Sequence, residues 1–277
     1  MRPGGLSCYI DAILMRSIMM SHNVSRRGLA CAFCTLMLAV SPVMASETAW
    51  ADVEALNCSA LEGVAPSSVQ GWLEKSLWAS HCYRYQARAV TISRSDVSTL
   101  ALSHRIQEGV RQQVVQHLDG PSMSIERHTR VGHWGWDDVE ATVPVPAQWS
   151  RHLDRFYAIS LEADKRVAGR DAVKITFAPR DTQRYSHQWW LDVASGLMLK
   201  HVLRDTDGNI LETFQVTQLQ NPERYDGDVD LQHPGRVPES DWQVNWLPEG
   251  FQLQPSVSPL PAGGFQQRYS DGLATLS

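Results

Sequence analysis

Few residues in this chain have the types and spacing that metal binding or catalysis needs. The acidic run Asp205-Thr206-Asp207-Gly208-Asn209 offers the oxygen ligands that calcium prefers. An EF-hand loop beginning at Asp205 needs a glycine at its sixth position and a glutamate at its twelfth, where this chain has Ile210 and Val216. Asp, Asn and Gly are also the preferred residues of tight turns, so the run is predicted to be a hairpin turn.

The cysteines and histidines give no better case for a metal or redox site. Cys31 and Cys34 have the C-x-x-C spacing but lie in the predicted leader. His128 and His133 are the histidine pair with the most appeal as metal ligands, yet scattered surface or strand histidines are the simpler interpretation. The sequence also lacks the nucleophile-elbow, zinc-protease and phosphate-loop motifs. We therefore predict a protein that is not an enzyme, with no catalytic residue, metal site or cofactor.

The N-terminal residues have the organisation of a secretory signal peptide. Arg26 and Arg27 precede the apolar run 29–40, and small residues stand before a predicted cut after Ala45. The apolar run is too short to span a bilayer stably. Residues 1–45 are therefore predicted to be a leader, in which 1–19 look like an over-called start because Met20 begins a conventional signal peptide. The mature chain, 46–277, is expected to be exported.

Removal of the leader makes the chain more acidic. The full chain has a net charge of −5. The leader carries Arg2, Arg16, Arg26 and Arg27 against Asp11, so subtracting its +3 from −5 leaves the mature chain near −8. Nucleic acid and anionic lipid both attract basic surfaces. The charge therefore argues against nucleic-acid binding and against a simple electrostatic hold on lipid.

Two cysteines, Cys58 and Cys82, follow the leader and flank a predicted helix over 67–80. That helix is roughly 21 Å long, and the residues between Cys58 and its start can extend to roughly 26 Å. An exported protein reaches an oxidising compartment, where an even number of cysteines favours disulfides. We predict a Cys58–Cys82 disulfide, with two isolated buried thiols as the alternative.

Short strands joined by turns follow, which predicts a mainly β fold with some helix (α+β). Strands are predicted over 83–92, 97–106, 110–118, 122–128, 173–177, 185–193, 197–204 and 210–219, with a helix or structured loop near 144–159. This spacing is typical of an antiparallel meander, here an open, strongly curved half-barrel. The mature chain is accordingly divided into a half-barrel domain (46–220), a linker rich in Pro, Gly and Asp (221–240) and the start of a small C-terminal α+β domain (241–277).

The adjacent tryptophans Trp189 and Trp190 stand in a predicted strand, where neighbours point to opposite faces of the sheet. Trp189 is in phase with Tyr185 and Leu191 and is assigned to the concave face. Trp190 has polar neighbours and is expected to lie under a loop, the second domain or a partner. A single sheet buries both faces only when something covers the second one. Core or helix cover is one interpretation; a ligand-lined cavity or partner surface is the other.

Four stretches of the sequence resemble one known family. The longest is DKRVAGRDAVKITFAPRDTQRYSHQWWLDVASGLMLKHVLRDTDGNILETFQVTQL at 164–219, and the others are LDGP at 118–121, WQVNWLPEGF at 242–251 and YSDGL at 269–273. Together, and in this order behind a signal peptide, they resemble the MucB/RseB family of periplasmic sigma-E regulators. The resemblance covers nearly the whole mature chain.

The resemblance implies a fold and a function. The N-terminal domain would share the open half-barrel of lipoprotein carriers, and the smaller domain would complete the partner site. Family members bind the periplasmic region of a transmembrane anti-sigma factor (MucA/RseA-like) and shield it from regulated proteolysis. A lipid or lipopolysaccharide signal of envelope stress releases the family member from the anti-sigma factor. The chain is therefore predicted to be a periplasmic negative regulator of sigma-E, with self-association into a homo-oligomer left open.

Two sets of residues are assigned to this function. The hydrophobic ligand cavity is assigned to Tyr185, Trp189, Leu191, Leu199 and Phe214, and partner binding to Trp190, Trp242, Trp246, Phe251 and Tyr269. Family members continue well beyond YSDGL, so the second domain is expected to be cut short at Ser277. The alternative function is a periplasmic lipid or lipoprotein carrier, which would need only the first domain. An envelope hydrolase would need a cluster of acid, base or nucleophile that the sequence does not display.

Overall fold

One nine-stranded antiparallel sheet and two helices make up most of the structure. This computed structural model describes residues 17–18, 55–61, 65–120, 123–129, 146–230, 244–254 and 267–276. Apart from 17–18, the predicted signal peptide lies outside the described residues, as does Trp242. None of the helices within these ranges has the length and apolar character needed to cross a membrane.

The two helices are α1 (Val69–Cys82) and α2 (Pro146–Phe156), and a 3₁₀ turn spans Cys58–Ala60. The strands are β1 (Ser17–Ile18), β2 (Ala55–Asn57), β3 (Tyr83–Ser93), β4 (Val97–Gln107), β5 (Val110–His117), β6 (Met123–Thr129), β7 (Tyr157–Val167), β8 (Arg170–Pro179), β9 (Ser186–Asp192), β10 (Met198–Arg204), β11 (Ile210–Arg224), β12 (Asp228–Asp230), β13 (Gln252–Gln254), β14 (Arg268–Ser270) and β15 (Thr275–Leu276).

The large sheet has the strand order β6-β5-β4-β3-β11-β10-β9-β8-β7, and each neighbouring pair is antiparallel. Helix α2 lies between β6 and β7 in the chain, and these two strands stand at opposite edges of the sheet. The sheet is open, because among the described strands β6 and β7 do not pair with each other. The predicted fold class, a mainly β chain built on an open antiparallel sheet with few helices, is confirmed.

The face of the sheet that carries Trp189 packs against the helices and is called the inner face; the opposite face is the outer face. In β9 the side chains of His187, Trp189 and Leu191 are buried, whereas Gln188 and Trp190 on the outer face are half-buried. Strands β4 and β8 show the same alternation. A period of two in burial is what a sheet with one covered and one solvated face requires.

Buried apolar side chains form two main clusters. The first cluster joins β7, β8 and β9 to both helices, and its members are Trp72, Leu73, Trp149, Leu153, Phe156, Tyr157, Val173, Ile175, Phe177, Trp189, Leu191 and Leu273. The second cluster is centred on β3, β4 and β11, with Ala87, Ala89, Leu100, Leu102, Val115, Val167, Ala172, Leu199, Phe214 and Val216. Burying one large apolar side chain stabilises a fold by about 1.5–3 kcal/mol. The helices therefore contribute to stability chiefly by covering the first cluster.

Helix α1 is fixed at its start by a cap and in its middle by the turn between β9 and β10. The Oγ of Ser68 accepts a hydrogen bond from the backbone N–H of Gly71 at 3.1 Å, as N-cap serines do. The Nζ of Lys75 donates to the carbonyl of Val193 at 3.1 Å. A Cβ at Gly196, whose φ is +82°, would stand 2.8 Å from Cγ of Lys75. Glycine is therefore required where the helix meets this turn.

The structure contains the predicted disulfide between Cys58 and Cys82, whose Cα atoms are 5.4 Å apart. Both cysteines are buried and pack with Ile106 and Val229 in a small third cluster. Nearby, β2 pairs with β12, and the backbone N–H of Tyr225 donates to the Cys82 carbonyl at 2.7 Å. The disulfide therefore lies where the N-terminal strand, the end of α1 and the chain after β11 meet.

The region predicted as a helix or loop to residue 159 differs from the structure at its end. The helix stops at Phe156, and the unpredicted strand β7 follows directly at Tyr157. β7 is an edge strand, and its pairing with β8 shifts register between Glu162 and Lys165. A bulge of this kind breaks the alternation of side chains, here after Tyr157, Ile159 and Leu161. Tyr157 also continues the helical spacing of Trp149, Leu153 and Phe156, so the predicted helix ran past its end.

The predicted linker, 221–240, begins inside ordered structure. β11 continues to Arg224 along β3, and Asp228–Asp230 forms β12 against β2. Composition alone indicated a linker, but the backbone of this stretch finds hydrogen-bond partners in two strands. Residues 221–224 and 228–230 therefore belong to sheets, while 231–240 lie outside the described residues.

The C-terminal segment comprises the described residues 244–254 and 267–276. Its strands β13, β14 and β15 pair in antiparallel order, and β1 adds a parallel strand to β15. The described part of the segment is too small for a core of its own. Its stability therefore has to come from contacts with the large sheet and its helices.

Candidate functional site

The side chain of Trp189 lies at the centre of the covered inner face. Its ring stacks on Trp149 of α2 with centroids 6.2 Å apart, and Phe177 meets it at 4.8 Å and an angle of 61°. Trp189 is 1% exposed, and its indole N–H has no hydrogen-bond acceptor within the described ranges. Helix α2 therefore covers Trp189, as the interpretation of helix cover predicts, and leaves a buried donor beneath it.

The five residues predicted to line a ligand cavity lie in three places. Trp189 and Leu191 belong to the first cluster, under the helices. Leu199 and Phe214 belong to the second cluster. Tyr185 precedes β9, is half-buried and belongs to neither cluster. The four clustered side chains are each at most 2% exposed, so in this conformation the protein's own residues bury them.

Trp190 lies on the outer face between two lysines. The register places Lys174 of β8 and Lys200 of β10 directly opposite Trp190. Their Nζ atoms are 5.6 Å and 5.1 Å from the centroid of the indole, within the range of a cation–π contact. The large aromatic on the polar side of the sheet is therefore flanked by lysine side chains and packs against the second cluster.

A carboxylate completes this outer-face group, which we call the Trp190 group (Glu162, Lys165, Lys174, Trp190 and Lys200). Glu162 accepts a hydrogen bond from the Nζ of Lys174 at 2.8 Å and lies 3.0 Å from the Nζ of Lys165. The hydrogen bond from Lys174, followed by that from Lys165, holds the pKa of Glu162 below its usual value. The group contains three lysines and one carboxylate. The aromatic ring therefore lies in a region of net positive charge.

The C-terminal segment is anchored to the half-barrel by the buried carboxylate of Asp271. Its Oδ2 accepts hydrogen bonds from the Tyr157 hydroxyl at 2.8 Å and from Arg184 Nε at 2.9 Å. Its Oδ1 accepts from the backbone N–H groups of Leu273 at 3.0 Å and Ala274 at 2.8 Å. Burial, and then the Asp271 carboxylate, raise the pKa of Tyr157, which keeps its proton and donates. These contacts replace the hydration that a buried carboxylate loses.

Arg184 is the positive partner of this anchor, and its side chain is only 1% exposed. Its guanidinium also contacts the carboxylate of Asp181 and the backbone carbonyl of Glu249. The rings of Phe156 and Phe251 lie 4.5 Å and 5.3 Å from the guanidinium carbon. The charge is therefore paired, hydrogen-bonded and stacked on aromatic rings, which are the conditions that make a buried arginine tolerable.

The tip of the YSDGL motif thereby becomes part of the cover of the inner face. Leu273 is 1% exposed and belongs to the first cluster with both helices. Trp149 donates its indole N–H to the Gly272 carbonyl at 3.3 Å and stacks on Trp189. Asp271 is not among the residues that the sequence predicts to be functional. An acidic residue followed by Gly and Leu, all in one motif, was the available signal of an Asx turn closing on itself.

The residues predicted for partner binding lie on different surfaces. Trp190 is on the outer face of the sheet, and Phe251 and Tyr269 are half-buried in the C-terminal segment. Trp246 is 65% exposed, whereas Trp242 lies outside the described residues. The ring of Phe251 contacts Arg184 of the anchor, and the ring of Trp190 contacts lysine side chains. Among the four of these residues that the structure describes, Trp246 offers a partner the most aromatic surface.

Two histidines on the inner face form a buried pair. Nδ1 of His187 and Nε2 of His201 are 3.1 Å apart, and the two rings stack at an angle of 7°. Burial lowers the pKa of His187 to about 4, although the carboxylate of Asp271 acts in the opposite direction. Burial, and then the proximity of His187, hold the pKa of His201 well below its usual value. Both rings are therefore neutral near pH 7, and one nitrogen donates to the other.

An open antiparallel sheet with helices over an aromatic inner face, and an aromatic group with lysines on its outer face, defines a class of helix-covered half-barrel domains suited to binding. Within the described ranges, no group of three or more His, Cys, Asp or Glu side chains could hold a metal ion. Residues 68–242 match the family model described as the MucB/RseB N-terminal domain. The chain belongs to the MucB/RseB family.

Known relatives agree with this assignment. The chain is 30% identical over 242 residues to the sigma factor AlgU regulatory protein MucB of Pseudomonas aeruginosa, with 79% of this chain and 76% of the relative covered. It is 25% identical over 234 residues to the sigma-E factor regulatory protein RseB of Escherichia coli K12, covering 74% and 73%. A chain in the solved P. aeruginosa MucA/MucB complex matches with a TM-score of 0.56 at 30% identity, covering 74% of this chain and 77% of that one. Both curated relatives are regulatory proteins.

The Asp271 anchor can be tested by Asp271→Asn. This variant should lower the free energy of unfolding by about 2–3 kcal/mol. It removes one of the two carboxylates that pair with Arg184, and its amide NH₂ faces groups that donate to the carboxylate of Asp271. Urea unfolding followed by tryptophan fluorescence measures the loss. Glu249→Gln is the matched control, since it removes only the exposed Arg155–Glu249 pair at a cost of at most about 1 kcal/mol. Equal stability of the two variants would contradict the anchor.

The buried histidine pair should make stability depend on pH. A histidine with a lower pKa in the folded chain takes up its proton on unfolding, so acid favours the unfolded state. For His187 the loss begins near the unfolded pKa of about 6.5 and grows until the pH falls to the folded pKa of about 4. It amounts to at most about 3 kcal/mol. Urea midpoints of His187→Gln/His201→Gln should therefore fall less in this window than those of the unaltered protein; parallel curves would refute the effect.

Proposed function

We propose that this chain is a periplasmic negative regulator of the sigma-E envelope stress response. It binds the periplasmic region of a transmembrane anti-sigma factor and shields that region from regulated proteolysis. The observation that carries the proposal is the likeness, at 28% identity and a TM-score of 0.55, to a chain in a crystal structure of MucB in complex with MucA(peri). The Cys58–Cys82 disulfide supports a location outside the reducing cytosol.

Protection in this proposal is steric and needs no catalytic group. A protease acts on the unbound anti-sigma factor, so cleavage slows in proportion to the bound fraction. The Trp190 group suits one part of such a partner, because an indole between lysines offers apolar area together with positive charge. Trp246, exposed in the C-terminal segment, offers a second aromatic contact.

The releasing signal in this proposal is a lipid that enters the inner face. A ligand shifts a binding equilibrium only as far as it prefers the unbound state of the regulator. A change from 99% bound to 99% free needs a preference of about 5.5 kcal/mol. Burial of an acyl chain supplies about 0.8 kcal/mol per CH₂, and the unpaired indole N–H of Trp189 is placed to donate to an ester or amide carbonyl. The acyl chain would have to displace Trp149 from Trp189, since these rings are stacked.

A second candidate function is a periplasmic lipid or lipoprotein carrier, which the apolar inner face favours. A carrier would need only the half-barrel. Here Asp271 anchors the C-terminal segment to the half-barrel, and Leu273 lies in the first cluster. A carrier made of the half-barrel alone would lack this segment, and the residues of the first cluster that the segment covers would be exposed. The burial of the segment in the core therefore favours the regulator.

The proposal predicts that the full chain slows cleavage of its anti-sigma partner. Purified periplasmic region of the anti-sigma factor, mixed with the initiating protease, should be cut at least tenfold more slowly when the regulator is present at saturation. Addition of a lipid with long acyl chains should restore the rate. Cleavage at an unchanged rate with saturating regulator would rule the proposal out. Acyl-chain transfer without affinity for the anti-sigma factor would support the carrier instead.

The same assay assigns the Trp190 group when it is run with Trp190→Ala. This variant should need more regulator for the same protection, because it removes the aromatic contact between the lysines. Binding of a fluorescent acyl probe should stay unchanged, since Trp190 faces away from the inner face. Gln188→Ala, on the outer face of the same strand, is the matched control. Loss of lipid binding with intact protection would invert the assignment of the two tryptophans.

A further inference from the structure

Four of the six large hydrophobic side chains exposed among the described residues lie at one end of the sheet. Ile92, Val97, Leu118 and Ile210 are 44%, 62%, 42% and 47% exposed. We call these four side chains the rim patch. Ile92 pairs directly with Val97 across the β3–β4 hairpin, and directly opposed residues share a face. That face is the outer one, because the buried residues of β3 and β4 alternate with them.

Hydrogen bonds and an ion pair bring the other two members to the same end. The backbone N–H of Leu118 donates to the carbonyl of Thr99 in β4 at 2.9 Å. Arg94 in the β3–β4 turn contacts Asp205 in the β10–β11 turn at 2.8 Å. Ile210 follows that turn as the first residue of β11, which pairs with β3. The rim patch therefore spans the ends of four neighbouring strands, β5, β4, β3 and β11.

Acidic residues outnumber basic ones around the rim patch. Its neighbours in the chain and in the two turns carry four carboxylates and two guanidinium groups: Asp96, Asp119, Asp205, Asp207, Arg94 and Arg204. The Arg94–Asp205 pair is internally neutral. Arg204 donates to the carbonyl of Gly208 at 3.0 Å. The apolar side chains are thus bordered by a net charge of −2, from the four carboxylates and the two guanidinium groups.

The negative charge around the rim patch argues against two partners of exposed apolar patches, an anionic membrane surface and a second copy of this chain. An anionic membrane surface repels carboxylates, so the rim patch is not built to enter such a surface. A second copy would bring the same negative border to a symmetric contact. Four side chains also fall well short of the roughly 800 Å² per partner of a stable interface. The patch instead suits a short segment with positive charge beside its apolar residues.

We propose that the rim patch docks an amphipathic segment of the anti-sigma factor, one that carries aliphatic side chains next to Lys or Arg. This inference rests on the proposed function and adds a second contact to it. Apolar burial gives the contact its affinity, and the carboxylates give orientation and a faster association that salt weakens. The segment differs from the one at the Trp190 group, since the two surfaces have opposite charge.

The test is a titration of the labelled periplasmic region of the anti-sigma factor with the full chain. Ile92→Thr/Val97→Thr keeps the β-branched shape while removing apolar surface, and should raise the Kd at least tenfold. Leu118→Thr/Ile210→Thr is the second variant if the first fails to fold. Ala101→Ser, on the outer face of β4 away from the rim, is the matched control and should bind as the unaltered chain does. Asp96→Asn/Asp207→Asn should flatten the dependence of Kd on salt.

The outcomes separate this inference from the function on which it rests. No binding by the unaltered chain would overturn the proposed function and the docking site with it. Binding by the unaltered chain that both Thr double variants retain within twofold would overturn the docking site alone. Two other results would also overturn the docking site alone. They are flotation of the chain with phosphatidylglycerol vesicles, or self-association of the chain, that the Thr variants abolish while they still bind the anti-sigma region.

Discussion

The ion pair between Asp271 and Arg184 is the interaction on which the arrangement of this molecule depends. Both side chains are almost completely buried, and a buried charge costs several kcal/mol (on the order of 3–5) when its partner is removed. The carboxylate is satisfied only when the C-terminal turn, the start of β7 and the chain before β9 meet, because Tyr157 and Arg184 come from those places. The pair therefore selects one position for the C-terminal segment.

That position matters because an open sheet has to have its apolar face covered. Here the cover consists of α1, α2 and the turn that contains Leu273. Trp149 of α2 connects the sheet to the C-terminal turn, since its ring stacks on Trp189 and its indole N–H donates to the Gly272 carbonyl. A molecule that separates Trp149 from Trp189 would consequently disturb the hold on the C-terminal turn. On the outer face, Trp190 packs against the second cluster and is flanked by two lysine side chains.

Local patterns made much of this fold predictable. The alternation in β9 predicted that Trp189 and Trp190 face opposite sides of the sheet, and the turn residues predicted the β10–β11 hairpin. β7 escaped prediction because Tyr157 continues the helical spacing of α2 and because a register shift ends the alternation of the strand after Leu161. The Asp271 anchor escaped it because its partners are 87 and 114 residues away in the chain. Four of the five predicted cavity residues are buried, but a period of two cannot say which cluster each one joins.

The central claim is that the C-terminal segment and the half-barrel form one unit through Asp271. Native-state hydrogen exchange measures this directly at the backbone amides of Leu273 and Ala274, which donate to the Asp271 carboxylate. One cooperative unit opens as a whole, so these amides should share the opening free energy of the β8 amide of Ile175 beneath the helices. Rapid exchange at Leu273 and Ala274 while Ile175 stays protected would show a detached segment and contradict the claim.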